Sequence, residues 1–192
     1  MALRVPKVEL TAELREGMIK HLGAVPEGAE VLGHHPQVAQ ASLEMGSRAG
    51  EWGAADESLK SFAHMAVAAQ VGCSWCLDTG YFQAQNQNLD LAKASQVPRW
   101  RESEVFTPLE RDVLEYAEAM TNTPPTVTDE LSARLLDRLG PAAMIELTAF
   151  IAFANFATRS NTALGVESQG FSAACEIPLA ARPDASGAAS TA

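Results

Sequence analysis

The sequence predicts an all-α fold, and three observations predict it. Apolar residues recur every three or four positions and almost never alternate, which is the period of a helix rather than a strand. Helix starts and stops are marked by a capping box, by prolines at first helical positions and by glycines that close a last turn. The chain also lacks the signatures of a nucleotide- or ester-binding α/β domain: it has no Gly-rich phosphate loop, and "GVESQG" holds a Ser outside the Gly-x-Ser-x-Gly pattern.

Each element follows from local residues. Between Lys7 and His21, Leu10, Leu14, Met18 and Leu22 stand at four-residue steps and form one apolar stripe. The Gly/Pro-rich passage "LGAVPEGAEVLGHHP" breaks it. Pro36 suits the first turn of a second helix, where its missing N–H would have had no partner, and that helix carries Val38, Ser42, Met45 and Ala49. A third helix runs from about Asp56 to Val71 with Leu59, Phe62, Ala66 and Ala69 on one side, and Gly72 sits where it should end. Thr107, Pro108 and Glu110 form a capping box for a helix with Leu109, Val113, Ala117 and Met120 inward, and "TPPTVT" ends it. Thr128 opens a helix with Leu131, Leu135 and Leu139, and Gly140-Pro141 separates it from a longer one that reaches Leu164 and stops at Gly165. The segment "MIELTAFIAFANFA" is apolar on nearly every side, as in a helix buried all round or covered in part by a neighbouring subunit. The sum is a helical bundle of roughly seven helices, one domain over residues 1–177, followed by a small, polar, Pro-containing tail at 178–192 that is expected to be disordered.

Composition bounds the function. A chain of 192 residues with 47% hydrophobic content can bury a core of its own. Its net charge of −10 and lack of a basic stripe argue against nucleic-acid or anionic-membrane partners, which leaves a small molecule and copies of the same chain. The charged opening "MALRVPKVELTAELREGMIK" does not read as a signal peptide, and no segment reads as a membrane span. With Cys73, Cys76 and Cys175 as its cysteines, the chain fits a reducing compartment, and a cytoplasmic location is expected.

The stretch "GCSWCLDTG" carries the chemistry, and its cysteine pair admits three readings. A structural zinc needs four ligands, commonly from two paired motifs, whereas there is one pair here and His64, His34 and His35 stand at no recognisable ligand spacing. No metal or other cofactor is therefore expected. Both cysteines can instead be small buried hydrophobes. Or they are a redox dithiol: if Gly72 closes one helix, Cys73 and Cys76 lie in the first turn of the next, where free N–H groups and the helix dipole stabilise a thiolate and the spacing allows a disulfide.

"SLKSFAHMAVAAQVGCSWCLDTGYFQAQ", "WRESEVFTPLERDVLEYAEAMT" and "IELTAFIAFANFATRSNTALGVES" together resemble the carboxymuconolactone decarboxylase-like superfamily on its alkylhydroperoxidase D side, over about residues 30–170. The glycine before Cys-x-x-Cys and the late Asn-x-Ala-Leu-Gly are its most specific elements. The resemblance implies an all-α fold, assembly as a homotrimer or homohexamer, and a thiol peroxidase cycle on a hydroperoxide. It implies that Cys76 is the peroxidatic thiol passing through a sulfenic acid, that Cys73 donates a proton and resolves it, and that a dithiol reductant protein reduces the disulfide.

The alkylhydroperoxidase pattern also has a relay Glu twelve residues before the first cysteine and a relay His four after the second, positions held here by Ser61 and Gly80. Neither is an acid or base near neutral pH, and losing such a group slows a reaction about 10²- to 10⁴-fold. His64, one turn beyond Ser61 on the same helix, is the best available replacement. Trp75, Tyr81 and Asp78 are the expected substrate-binding residues: Trp75 can cover the pair or stack on a substrate, Tyr81 can donate a hydrogen bond, and Asp78 can orient a proton carrier or simply cap the helix. Asn155 and Asn161 either line the same cleft or satisfy backbone groups between subunits. Two other functions compete with the peroxidase: a decarboxylase-like enzyme on a small carboxylated metabolite, held by Arg48, Arg99 or Arg159, and a non-catalytic redox-sensing oligomer that kept its thiols and lost the relay.

Overall fold

The computed structural model describes residues 3–183, which hold helices and turns and no strand. In chain order these are α1 Ala12–Leu22, α2 Glu27–Leu32, α3 Pro36–Glu51, α4 Glu57–Val71, α5 Ser74–Asn86, α6 Leu91–Ala94, α7 Pro108–Thr121 and α8 Asp129–Leu164, with single 3-10 segments at Val97–Glu102 and Phe171–Ala174.

Thr107, Glu110 and Thr128 cap their helices as the sequence predicts, and Asp56 proves to be the cap of α4. The Asp56 carboxylate accepts from the N–H groups of Ser58 and Leu59, Thr107 and Glu110 close a reciprocal capping box, and Thr128 accepts from Leu131 N. Each such cap contributes about 1 kcal/mol to its helix. Pro36 and Pro108 occupy first helical positions, and Gly72 and Gly165 close α4 and α8 in the left-handed region at φ 80° and 74°. Gly140, at φ 73° and ψ 168°, breaks α8 just before Pro141, so the two predicted helices run on as one element with a kink.

The first helix differs from expectation. α1 starts after Thr11, whose hydroxyl accepts from Leu14 N at 3.4 Å, and none of its residues is buried: of the predicted stripe Leu14 stays exposed, Met18 and Leu22 are half-buried, and Leu10 lies beside Gly33. The passage expected to be irregular holds α2. α3 buries only Ala49 and leaves Val38 and Met45 exposed.

α4 is the centre of the bundle, packed against α5, α7 and α8. It buries Leu59, Phe62, Met65 and Val67 together with Ala63, Ala66, Ala68 and Ala69, so most of its circumference is covered, and its short alanines let the neighbouring helices come close. Lys60 is buried with them. Its Nζ meets Glu57 at 2.6 Å and Glu146 at 3.1 Å and donates to Trp52 O at 2.6 Å. Burial alone would push this amine down, but the two carboxylates outweigh it and hold the pKa above its ordinary value. A charge in a core is tolerated only when paired in this way.

Of the two readings of α8, burial all round fails: the helix buries one face, with Leu147, Ile151 and Ala154 against the core, and leaves the other open. Ile145 and Phe156 on its outer side are 71% and 51% exposed. By length and composition alone this helix could cross a membrane, where no such segment was expected; the core helix of a soluble bundle meets the same test. Its Glu146 is ion-paired with Lys60 inside the bundle.

The start of the predicted disordered tail lies along the body. Leu179 packs against the core, Ala180 N donates to Ser95 O at 2.9 Å, and the Arg182 guanidinium bonds Ala69 O and Gln70 Oε1 at 2.5 and 2.6 Å. Residues 184–192 of that predicted tail lie outside the described residues.

Candidate functional site

The turn between α4 and α5 builds the site. Gly72 and Cys73 both donate their backbone N–H to Ala68 O, at 3.0 and 2.9 Å, which stops α4 and turns the chain back on itself. Only a residue that tolerates positive φ can sit at 72. Cys73 is then the N-cap of α5: its backbone is extended and its Sγ accepts the Cys76 N–H at 3.2 Å. A disulfide joins Cys73 to Cys76 across this first turn, with Cα atoms 5.3 Å apart. The two residues are 2% and 1% exposed and pack with Ala68, Trp75 and Leu77.

One side chain reaches the pair from far along the chain. Asn161, in the last turn of α8, donates from Nδ2 to Cys76 Sγ at 3.4 Å. Sequence patterning could not choose between Asn155 and Asn161. Asn155 instead donates to Thr121 Oγ1 and to the Ile151 carbonyl. Trp75 is half-buried against the cysteines, and its indole N–H is buried without a hydrogen-bond partner among the described residues.

His64 stands on the face that the sequence predicts, in a cavity of about 50 Å³ shared with Ser61, Gly80, Lys60, Gln83 and Phe150. Gly80 makes room for it: a Cβ there would lie 3.1 Å from His64 Nδ1. Burial pulls the imidazole pKa down to about 4, so the ring is neutral at neutral pH. The cavity brings His64 together with positions 61 and 80, while neither cysteine lines it.

Asp78 and Tyr81, expected to face a substrate, face the C-terminal segment instead. The Asp78 carboxylate is buried and accepts from Ser168 Oγ (2.7 Å), Gly170 N (2.8 Å), Phe171 N (3.0 Å), Ser172 N (2.7 Å) and Ser172 Oγ (2.7 Å). Burial would raise its pKa, yet the hydrogen bonds from Ser172, Ser168 and the strap backbone hold it below its ordinary value. Ser168 N also donates to Ser74 Oγ at 3.1 Å, so residues 166–175 form a strap bound to the first turns of α5. The Tyr81 hydroxyl donates to Ile177 O at 2.5 Å, and burial followed by the charge of Cys175 raises its pKa. A cue to this role was the run of small donors in "GVESQGFS" directly after the Gly165 stop.

Among the described residues no three His, Cys, Asp or Glu side chains stand close enough together to hold a metal ion. Of the arginines considered for a carboxylate, Arg99 pairs with Glu102, and Arg159 bonds Asn155 Oδ1 and Thr121 O.

Residues 36–119 match the model of the carboxymuconolactone decarboxylase family, and this segment contains α4, the cysteine turn and α5. Over that segment the chain is similar to the carboxymuconolactone decarboxylase-like superfamily. Its fold is that of the alkylhydroperoxidase D-like members. It is 36% identical over 123 residues to protein YnjA of Escherichia coli (strain K12), a match that covers 64% of this chain and 66% of that relative. The alkylhydroperoxidase AhpD core protein of Ralstonia eutropha superposes with a TM-score of 0.78 at 18% identity, covering 92% of this chain and 97% of the other. The debrominase Bmp8 with bound 2,3,4-tribromopyrrole also superposes at a TM-score of 0.78, with 22% identity over 89% of this chain and 94% of that one. The superfamily fold thus carries more than one chemistry, and these distant likenesses concern the fold alone.

Proposed function

We propose that the chain is a thiol–disulfide oxidoreductase that reduces a small organic hydroperoxide through Cys76 and Cys73. The observation that carries this reading is the disulfide across the first turn of α5, where reduction would leave two thiols at a helix N-terminus that favours a thiolate. The Cys76 thiolate attacks one peroxide oxygen; the O–O bond breaks, the departing alkoxide takes up a proton, and Cys76 becomes a sulfenic acid. The Cys73 thiol then attacks that sulfur, water leaves and the disulfide forms. A dithiol protein returns two electrons and two protons.

His64 is the proton relay in this scheme. A neutral imidazole can accept a proton on one nitrogen while giving up another from the second, and the cavity beside Gly80 holds the ring where α5 passes. The test is consumption of an organic hydroperoxide by the pre-reduced protein, alone and with a dithiol reductant. One equivalent is expected per disulfide formed without reductant, and continuous turnover with it. His64→Ala is expected to slow turnover about 10²- to 10⁴-fold. Because the ring titrates near 4, the wild-type rate should show no step near 6.5. A reduced protein that leaves the hydroperoxide untouched would sink this reading.

The same reading has the chain assemble with copies of itself as a trimer or hexamer. Support comes from Ile145 and Phe156 outward on α8 and from Leu14 and Ile19 exposed on α1. Large apolar side chains left outward on a helix are where another copy of the chain would bury them. Phe156→Glu is expected to reduce the mass in sedimentation velocity from several chains toward one, and a wild type that already sediments as one chain would contradict the assembly.

A further inference from the structure

The two sulfurs of the pair receive different donors. Cys73 Sγ takes a backbone N–H, the bond that an N-cap side chain makes in many helices. Cys76 Sγ takes a side-chain amide delivered from α8, and that bond exists only because residue 161 is an asparagine. We propose that Asn161 is a catalytic residue of the pair, donating to the Cys76 sulfur so that Cys76 rather than Cys73 carries the negative charge once the disulfide is reduced. This inference rests on the dithiol reading above only in taking the pair to cycle between disulfide and dithiol.

The chemistry of the group suits the task. A carboxamide N–H donates but does not ionise near neutral pH, so it favours an anion beside it without competing for the proton. Hydrogen bonds to an ionised partner are roughly twice as strong as neutral ones. Here the sulfur is almost fully shielded from water, so solvent cannot readily supply the same donor.

The amide is also held in place. The Asn161 carbonyl accepts from Val166 N at 3.0 Å, which fixes the last turn of α8. Its Oδ1 lies against α2, where a Cβ added at Gly28 would be 3.7 Å away. Charged groups on the surrounding elements are engaged elsewhere. Asp78 on α5 binds the strap, Glu27 and Glu30 on α2 bind Lys7, and the Arg4 guanidinium bonds the carbonyls of Thr162 and Ala163.

The consequence is a division of labour. In the reduced state the Cys76 thiol releases its proton and remains as thiolate under Asn161, while Cys73 keeps its proton until it attacks the oxidised Cys76 sulfur.

The experiment follows thiolate ultraviolet absorbance against pH in the reduced protein. A Cys73→Ser background makes Cys76 the member of the pair that titrates, and a further Cys175→Ala change removes the third thiol. In that background Asn161→Leu, similar in size but without a donor, is expected to lower the thiolate fraction at neutral pH about 10-fold. Asn161→Asp, which places an acceptor and a negative charge there, should lower it further. Asn155→Ala, on the same helix but bonded to Thr121, should leave the titration unchanged even if it lowers the melting temperature. If both position-161 variants titrate like their parent, the inference is wrong, and Asn161→Asp gives that answer by itself should the leucine variant fail to fold. No peroxide enters the measurement, so a protein that failed as a peroxidase would still report on Asn161.

Discussion

Cys76→Ser is expected to abolish hydroperoxide turnover, by at least about 10³-fold, whereas Cys73→Ser should still consume a single equivalent and stop. A serine hydroxyl does not ionise near neutral pH, so the first step loses its nucleophile outright. Without Cys73 the sulfenic acid on Cys76 loses its resolving thiol and should persist long enough to be trapped by a dione reagent. Mass spectrometry of the trapped adduct reads the assignment directly. The geometry also states the opposite outcome. Cys73 Sγ has its own donor, the Cys76 N–H at 3.2 Å. Were that bond to outweigh the one from Asn161, the adduct would appear on Cys73 in the Cys76→Ser variant, and the roles of the two sulfurs would be exchanged.

The parts of this site that are local in sequence are legible in it, and the parts made by distant contacts are not. Gly72 as the left-handed stop and the two cysteines in the next first turn follow from residues within one turn of each other. His64 and Ser61 fall on one face because they are three positions apart on a single helix. Asn161 could be nominated by its place near the end of α8, but not chosen over Asn155, because the choice depends on how α8 crosses α5. Asp78 shows the converse error. An acidic side chain beside a reactive pair invites a functional role, yet its hydrogen-bond donors come from the strap far along the chain, and only the fold brings them together.

The same distinction explains the helices. α4 reads as an amphipathic helix because Ser61, His64 and Lys60 interrupt its apolar residues. Lys60 is nevertheless buried, since Glu146 from α8 and Glu57 from its own helix neutralise it, and a pairing across elements has no local signature. In α8 composition shows an apolar helix, covered either all round or in part by another copy, without showing which side meets α4 and α7. The side left open holds Ile145 and Phe156, and the proposed assembly would cover it with another copy of the chain.

Asp78→Ala is expected to destabilise the fold by about 3 kcal/mol, which for a chain of this size lowers the melting temperature by about 6–12 °C. The buried carboxylate collects donors from Ser168, Gly170, Phe171 and Ser172, and removing it leaves those groups to find water by pulling the strap away from α5. Asp78→Asn should recover part of the loss, because the amide keeps one acceptor oxygen but turns an N–H₂ group toward other donors. The pH dependence has a definite sign. The native pKa lies below the ordinary value of 3.8, so the contribution is fully present above that value and is lost as pH falls through the lowered native one. Wild type and Asp78→Ala should therefore converge in stability in strong acid. A second readout separates the strap from a general weakening of the bundle. Ser168 N is bonded to Ser74 Oγ beside the cysteine turn, so a freed strap should expose the disulfide, and a small dithiol should reduce it faster in Asp78→Ala than in wild type under conditions where both remain folded. If the variant melts early but its disulfide is reduced at the wild-type rate, Asp78 supports the fold without governing access to the sulfurs.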